Sequence, residues 1–258
     1  MGWEQVDEGW GRKAVDFATL TEPATCREYL TVHQHLGLGE GDRLLDMACG
    51  AGLAIELATI RGAVCAGIDA SPRLIAIARD RTPDADIRVG DMRELPWEDG
   101  SFDIVTTFRG IWGTTPGAFD EAHRVLRPGG RLAMTVWGDV SKSPGAWMLA
   151  PFILATEEKV MNQADMVALG RPGVGEQVMR DHGFEPDERI EIAFTFEYPD
   201  PETYARGIAA TGPAFEAMQN VGEQGFVDAA IDGATPHVRE GLPLRDHIQL
   251  FCYVGVKQ

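Results

Sequence analysis

Three carboxylates in this chain each close a short apolar run. Asp46 ends Arg43-Leu44-Leu45, Asp69 ends Ala66-Gly67-Ile68, and Asp91 follows Ile87-Arg88-Val89-Gly90. Between the first two lies Ala48-Cys49-Gly50-Ala51-Gly52. Its glycines lack a Cβ, so the backbone can turn tightly and a ligand can lie almost against it. Asp46 can accept hydrogen bonds from an ammonium group, directly or through water. Asp69 stands where an acid takes both hydroxyls of a ribose in dinucleotide-binding folds.

The elements that must hold these residues follow from the apolar pattern. Strands are predicted over Arg43–Met47, Val64–Asp69, Ile87–Gly90, Ile104–Phe108 and Arg131–Trp137, with helices starting near Leu53, Ser71 and Pro116. Such alternation implies a parallel sheet with right-handed crossovers. Its carboxyl edge, where α/β proteins bind ligands, would carry all three acids. Ser71-Pro72 reads as an N-cap followed by proline in the first helical turn. Arg127-Pro128-Gly129-Gly130 reads as a helix end and a turn into the fifth strand. The alternating run Ile190–Phe196 predicts a sixth strand and Ile248–Val256 a seventh. Segments 144–182 and 200–240 read as helical additions, the first holding the apolar run Trp147–Leu154.

With Ser101–Phe108 and Glu121–Leu132 following in order, the stretch 40–138 resembles the class I S-adenosylmethionine (SAM)-dependent methyltransferases. It resembles in particular the branch containing the ubiquinone and menaquinone biosynthesis enzymes. The resemblance implies an α/β fold: a Rossmann-like, seven-stranded, mainly parallel sheet with one antiparallel strand, the seventh. Helices would lie on both faces, with helical lid insertions. Residues 1–40 would form an N-terminal helical cap and 41–140 the SAM-binding core. Residues 141–258 would hold the insertions and the last two strands.

The resemblance also assigns roles. Asp46 and the Ala48 backbone would face the methionine moiety, with Gly50 and Gly52 beneath it. Asp69 would bind the ribose hydroxyls and Ala70 would flank the adenine. Asp91 would accept from the adenine amino group, and the Met92 amide would donate to a ring nitrogen. Phe108 and Arg109 would sit beside the methyl-transfer centre. Capping of the helix after Ser71 is the plainer use of Asp69, and an ordinary turn is the plainer use of Asp91. Cys49 reads as a packing residue and His123 as a helix-face residue.

The implied reaction moves a methyl group from SAM to a small, partly apolar acceptor, a quinone-like ring or a secondary metabolite, leaving S-adenosylhomocysteine (SAH). In-line displacement at a sulfonium needs no protein nucleophile, and much of the rate comes from alignment in a dry site. Candidate bases for a hydroxyl acceptor are His33, His35 and His247. Arg109, past an apolar strand at the ligand edge, could orient an anionic acceptor, with Trp112 as an aromatic wall. It would repel the sulfonium, so it should point to the acceptor; an ion pair with a nearby acid is the alternative. Another reading of the whole chain is a catalytically silent SAM- or nucleotide-binding regulatory or assembly protein.

A nicotinamide dehydrogenase uses a similar turn, but its Gly-x-Gly-x-x-Gly/Ala fingerprint meets Ile55 at the third place. That branched side chain would block close helix–strand packing. No phosphate-binding Gly-x-x-x-x-Gly-Lys-Ser/Thr loop occurs.

The 258 residues carry a formal charge of −17. Nucleic-acid partners are disfavoured, since their affinity leans on Lys and Arg neutralising phosphates. Thr106-Thr107-Phe108-Arg109 also stands where nucleic-acid amino-methyltransferases carry Asn/Asp-Pro-Pro-Tyr/Phe. Cys26, Cys49, Cys65 and Cys252 have no paired spacing, which implies reduced thiols, a cytoplasmic location and no zinc motif. No signal core and no run long enough for a membrane span is present. The expected partner is a small-molecule acceptor, with a homodimer interface as the other use of the apolar insertions.

Overall fold

The computed structural model describes residue 3 and residues 6–111, 116–154 and 168–258. The strands are β1 (Arg43–Met47), β2 (Val64–Asp69), β3 (Asp86–Val89), β4 (Phe102–Phe108), β5 (Leu126–Trp137), β6 (Phe184–Tyr198) and β7 (Leu244–Lys257). They form one sheet in the order β3-β2-β1-β4-β5-β7-β6. The first five pair in parallel, and β7 runs antiparallel to both its neighbours. The described helices are α1 (Val6–Gly9), α2 (Ala14–Asp16), α3 (Cys26–His35), α4 (Leu53–Ile60), α5 (Pro72–Arg81), α6 (Gly117–Val125), α7 (Val174–Asp181), α8 (Pro201–Ile208) and α9 (Gly212–Ala234). None is long and apolar enough to cross a membrane.

Leu44, Leu45 and Met47 are all fully buried, because helices cover both faces of the sheet and neither strand face can be polar. On one face Leu44, Ile104 and Ala133 pack with Val32 of α3, Ile55 and Ala58 of α4, and Ala78 of α5. On the other, Leu45, Val105 and Met134 pack with Phe119 of α6 and Met179 of α7. Helix α5 starts as its sequence predicts: Ser71 Oγ accepts from the Leu74 amide at 3.2 Å, with Pro72 in the first turn.

Two sequence expectations need correction. Ile55 does not block close packing of α4 on the sheet. It is fully buried, and its Cδ1 lies 2.4 Å from where a Cβ on Gly67 would be. The room that a nucleotide-fold fingerprint makes with a glycine in the helix is made here by a glycine in β2. Likewise, Arg127–Gly130 is not a turn outside the sheet. Leu126 already pairs with Phe102, and the register shifts before Ile104 meets Arg131, so Pro-Gly-Gly forms an irregularity within β5.

β6 and β7 are longer than the rest. Beyond Trp137↔Leu250, the last β5–β7 pair, they continue from Ala193↔Gln249 to Tyr198↔Leu244. The resulting ribbon overhangs the carboxyl edge. Its buried Phe194, Phe196 and Tyr198 share one apolar cluster with Met148 of the 3₁₀ stretch Pro144–Leu154, Tyr204 of α8 and Phe226 of α9. These insertions therefore extend the core beyond the sheet. Met161 and Met166 lie outside the described residues.

The N-terminal segment crosses the same edge. Asp7 accepts from Ser71 Oγ and from Arg73 Nε (2.9 Å) at the start of α5. Arg81 Nη2 donates to Ala18 O at 2.9 Å, while Thr21 Oγ1 donates to Gly207 O in α8 at 2.6 Å. Residues 6–25 thus bridge the glycine turn and the insertions.

Candidate functional site

The carboxyl ends of β1, β2 and β4 meet at the glycine turn. Among the described residues only two non-glycines have left-handed backbone, Ala48 (φ 59) and Arg109 (φ 57), and they follow β1 and β4. Each costs about 1–2 kcal/mol relative to an ordinary conformation. Strain of this kind persists where surrounding structure imposes it, commonly at functional sites. The two turns touch: a Cβ on Gly110 would come within 2.5 Å of the Ala48 Cβ.

Backbone contacts fix the glycine turn itself. The Cys49 amide donates to Ile68 O and the Gly52 amide to Cys49 O, both at 3.0 Å. Gly52 enters α4 at φ 86, with Ala78 of α5 where its Cβ would stand (2.7 Å). Gly50 has φ 57, and its absent Cβ faces Phe17 and Glu22 of the N-terminal segment.

Asp69 accepts from the Gly50 amide (2.9 Å) through one oxygen and from the Ser71 amide (2.8 Å) through the other. It ties the glycine turn to the start of α5, so its capping role is present. Burial pushes its carboxyl up, and the amides of Ser71 and Gly50 oppose that shift. Asp46 is 2 % exposed and accepts from Thr106 Oγ1 at 2.7 Å. Burial raises its pKa to about 8 against the Thr106 hydrogen bond, with the charges of Asp69, Glu22 and Glu28 adding to the shift.

Glu22 and Glu28 are the residues that sequence reasoning missed. Glu22 is 1 % exposed, pairs with Arg81 and accepts from the Leu53 amide at 3.3 Å, capping α4 from the N-terminal segment. Burial raises its carboxyl despite Arg81. Glu28 of α3 is equally buried. It accepts from Thr135 Oγ1 at 2.5 Å and pairs with Arg109 at 3.0 Å. One signal was available: Glu28 shares the face of α3 that carries Val32, four positions on. The edge thus holds four buried carboxylates, Asp46, Asp69, Glu22 and Glu28, and two guanidiniums in contact with them, Arg81 and Arg109. Buried carboxyls without matching counter-charge hold protons or take a cationic ligand in their place.

The remaining candidates are less concentrated. Ala70 and Met92 are half-buried beside the ends of β2 and β3. The Asp91 carboxylate is held by Arg93, which donates from its amide at 2.9 Å and from Nη2 at 2.7 Å. Phe108 packs against Tyr29, ring centroids 4.4 Å apart, and its backbone leads into Arg109. The Arg109 guanidinium lies 4.5 Å from the Phe194 ring and 5.5 Å from that of Trp137. Trp112 lies outside the described residues.

The histidines are dispersed. His33 is fully buried, neither ring nitrogen has a hydrogen-bond partner, and burial pushes its pKa down to about 4. His35 ends α3 and pairs with Glu188, on the early part of β6, at 3.1 Å. His247 is half exposed on the β7 overhang. Cys49 is buried and its thiol is pushed well up by burial, as suits a packing residue.

Comparison with known proteins gives a consistent picture. The family described as "Methyltransferase domain" matches residues 45–134, from β1 into β5. A demethylmenaquinone methyltransferase of Mycobacterium sp. (strain KMS) is 32% identical over 181 residues, covering 69% of this chain and 70% of that protein. A 27-O-demethylrifamycin SV methyltransferase of Amycolatopsis mediterranei (strain S699) is 29% identical over 234 residues, covering 84% and 81%. Among solved structures, the YcgJ protein of Bacillus subtilis superposes with a TM-score of 0.60 at 17% identity, over 89% of this chain and 97% of that one. At that identity the likeness bears on the fold alone.

Proposed function

The chain belongs to the class I SAM-dependent methyltransferases, and from that premise we propose that its glycine-turn edge binds SAM and serves a small, partly apolar acceptor. When bound, SAM supplies a methyl group activated by the positive charge on sulfur. Asp46 and the Ala48 backbone take the methionine end over Gly50 and Gly52. Asp69 meets the ribose from between its two amide donors. Ala70, Asp91 and the Met92 amide take the adenine, with Arg93 yielding part of its hold on Asp91. Phe108 borders the cofactor beside the methyl-transfer centre, and Arg109 stands on the acceptor side.

The observation that carries this reading is the excess of buried carboxylate at the strained edge. Asp46 accepts only Thr106 among the described hydrogen bonds, and burial makes it keep its proton up to about pH 8 unless a cation arrives to hold the charged form. The aromatic face of the overhanging ribbon and Trp137 beside Arg109 support an apolar, ring-bearing acceptor. The two relatives, a demethylmenaquinone methyltransferase and a 27-O-demethylrifamycin SV methyltransferase, support a quinone-like or secondary-metabolite acceptor. The high negative charge supports a small molecule over RNA or DNA.

Turnover of methyl-labelled SAM with a panel of quinols, polyphenols, total RNA and a mixed peptide pool tests this. Label is expected in the quinols or polyphenols. Label in RNA or peptide alone, or none in any acceptor with SAM bound, would contradict the acceptor assignment.

A further inference from the structure

A cation beside the methyl-transfer centre poses an electrostatic problem, and Glu28 answers it. Arg109 is fixed next to the glycine turn, because its strained backbone and Gly110 press on Ala48. Its amide donates to Thr135 O at 3.1 Å, so the residue cannot swing away with a loop. An unpaired guanidinium here would oppose a sulfonium. At a few ångströms and in partly desolvated surroundings such a repulsion changes affinity by about tenfold or more.

Glu28 sits where it cancels that charge. Its side chain is 0 % exposed. Oε1 accepts from Thr135 Oγ1 at 2.5 Å and from Arg109 Nε at 3.3 Å, and Oε2 lies 3.0 Å from Arg109 Nη2. The pair draws on α3, β4 and β5, and the Phe194 and Trp137 rings flank the guanidinium. Glu28 also reaches Asp46 electrostatically.

We propose that Glu28 is a specificity-determining residue: by neutralising Arg109 it removes a repulsion that would otherwise tilt the edge away from the charged cofactor SAM and towards its uncharged-sulfur product SAH. Arg109 then offers the acceptor hydrogen-bond donors and a flat surface without net positive charge. The inference rests on the SAM pocket proposed above.

Calorimetric titration of the full chain and of Glu28→Gln with SAM and with SAH tests it. Glutamine keeps the shape and an acceptor for Thr135 but removes the charge. The ratio Kd(SAM)/Kd(SAH) is expected to rise about tenfold in Glu28→Gln, to fall in Arg109→Gln, and to return towards wild type in the double variant. A purely structural role would weaken both ligands alike, and that result would overturn the proposal. If Glu28→Gln lacks a cooperative thermal transition, Arg109→Gln decides: a lower ratio supports the proposal and an unchanged one overturns it. Binding of neither ligand by the wild-type chain would instead remove the pocket, and this inference with it.

Discussion

Asp46 is the residue on which the proposed SAM pocket leans most directly. Burial raises its carboxyl to about 8, and the neighbouring Asp69, Glu22 and Glu28 reinforce the shift. Its folded pKa exceeds its unfolded value, so in the free protein Asp46 works against folding as pH rises from the ordinary carboxylate range towards 8. In the role proposed for it, binding an ammonium group would reverse the preference and expel the proton. SAM affinity should therefore strengthen with pH by up to about tenfold per unit below pH 8 and level off above it. Titrations in buffers of different ionisation enthalpy should register up to one proton released per SAM at pH 6.5; a pH-independent Kd would contradict the role. His33 behaves oppositely. Its folded pKa of about 4 lies below the usual 6.5, so the unfolded chain binds more protons between those values. Stability is lost as pH falls through that window, by about 3 kcal/mol at its lower end. His33→Leu should flatten this acid slope in denaturant melts at pH 4.5 and 7.5 while leaving SAM binding intact; a steeper slope would argue that the ring has a hidden partner.

At the scale of elements, the sheet edge depends on how closely α4 lies on β2. The contact between Ile55 and Gly67 sets that distance. Gly67→Ala should overpack it and cost about 1–3 kcal/mol. Adding Ile55→Val should recover much of the loss, and additive costs in chemical denaturation would show that the two do not share space. The same contact explains why a fingerprint argument drawn from one helix position misjudged the packing: the compensating glycine belongs to another strand. Local pattern was otherwise a good guide to the strands and to the glycine turn, because Asp46 with its glycines, and Asp69 with the Ser71-Pro72 start, are each written within a few residues. Glu22 and Glu28 were not legible in that way. Their partners Arg81 and Thr135 lie 59 and 107 residues away, and only the crossing of the N-terminal segment and α3 over the edge unites them. The overhang of β6 and β7 was likewise longer than the alternating apolar runs implied, since its added pairs include exposed residues such as Glu197 and Arg245.

For the whole molecule, one edge gathers strain, buried negative charge and two coverings. The N-terminal segment ties to α5 through Asp7, Ala18 and Glu22, meets Gly50 with Phe17 and Glu22, and reaches the insertions through Asp16 and Thr21. The overhanging ribbon packs with α8 and α9 in one apolar cluster beyond the carboxyl edge. Both coverings converge on a site whose charge deficit a sulfonium nucleotide would meet and a pyrophosphate would aggravate. Parallel calorimetric titration of the full chain with SAM, SAH and NADH tests this most directly. Micromolar binding of SAM and SAH with no heat from NADH is the predicted result. Binding of NADH, or of none of the three by demonstrably folded protein, would contradict it.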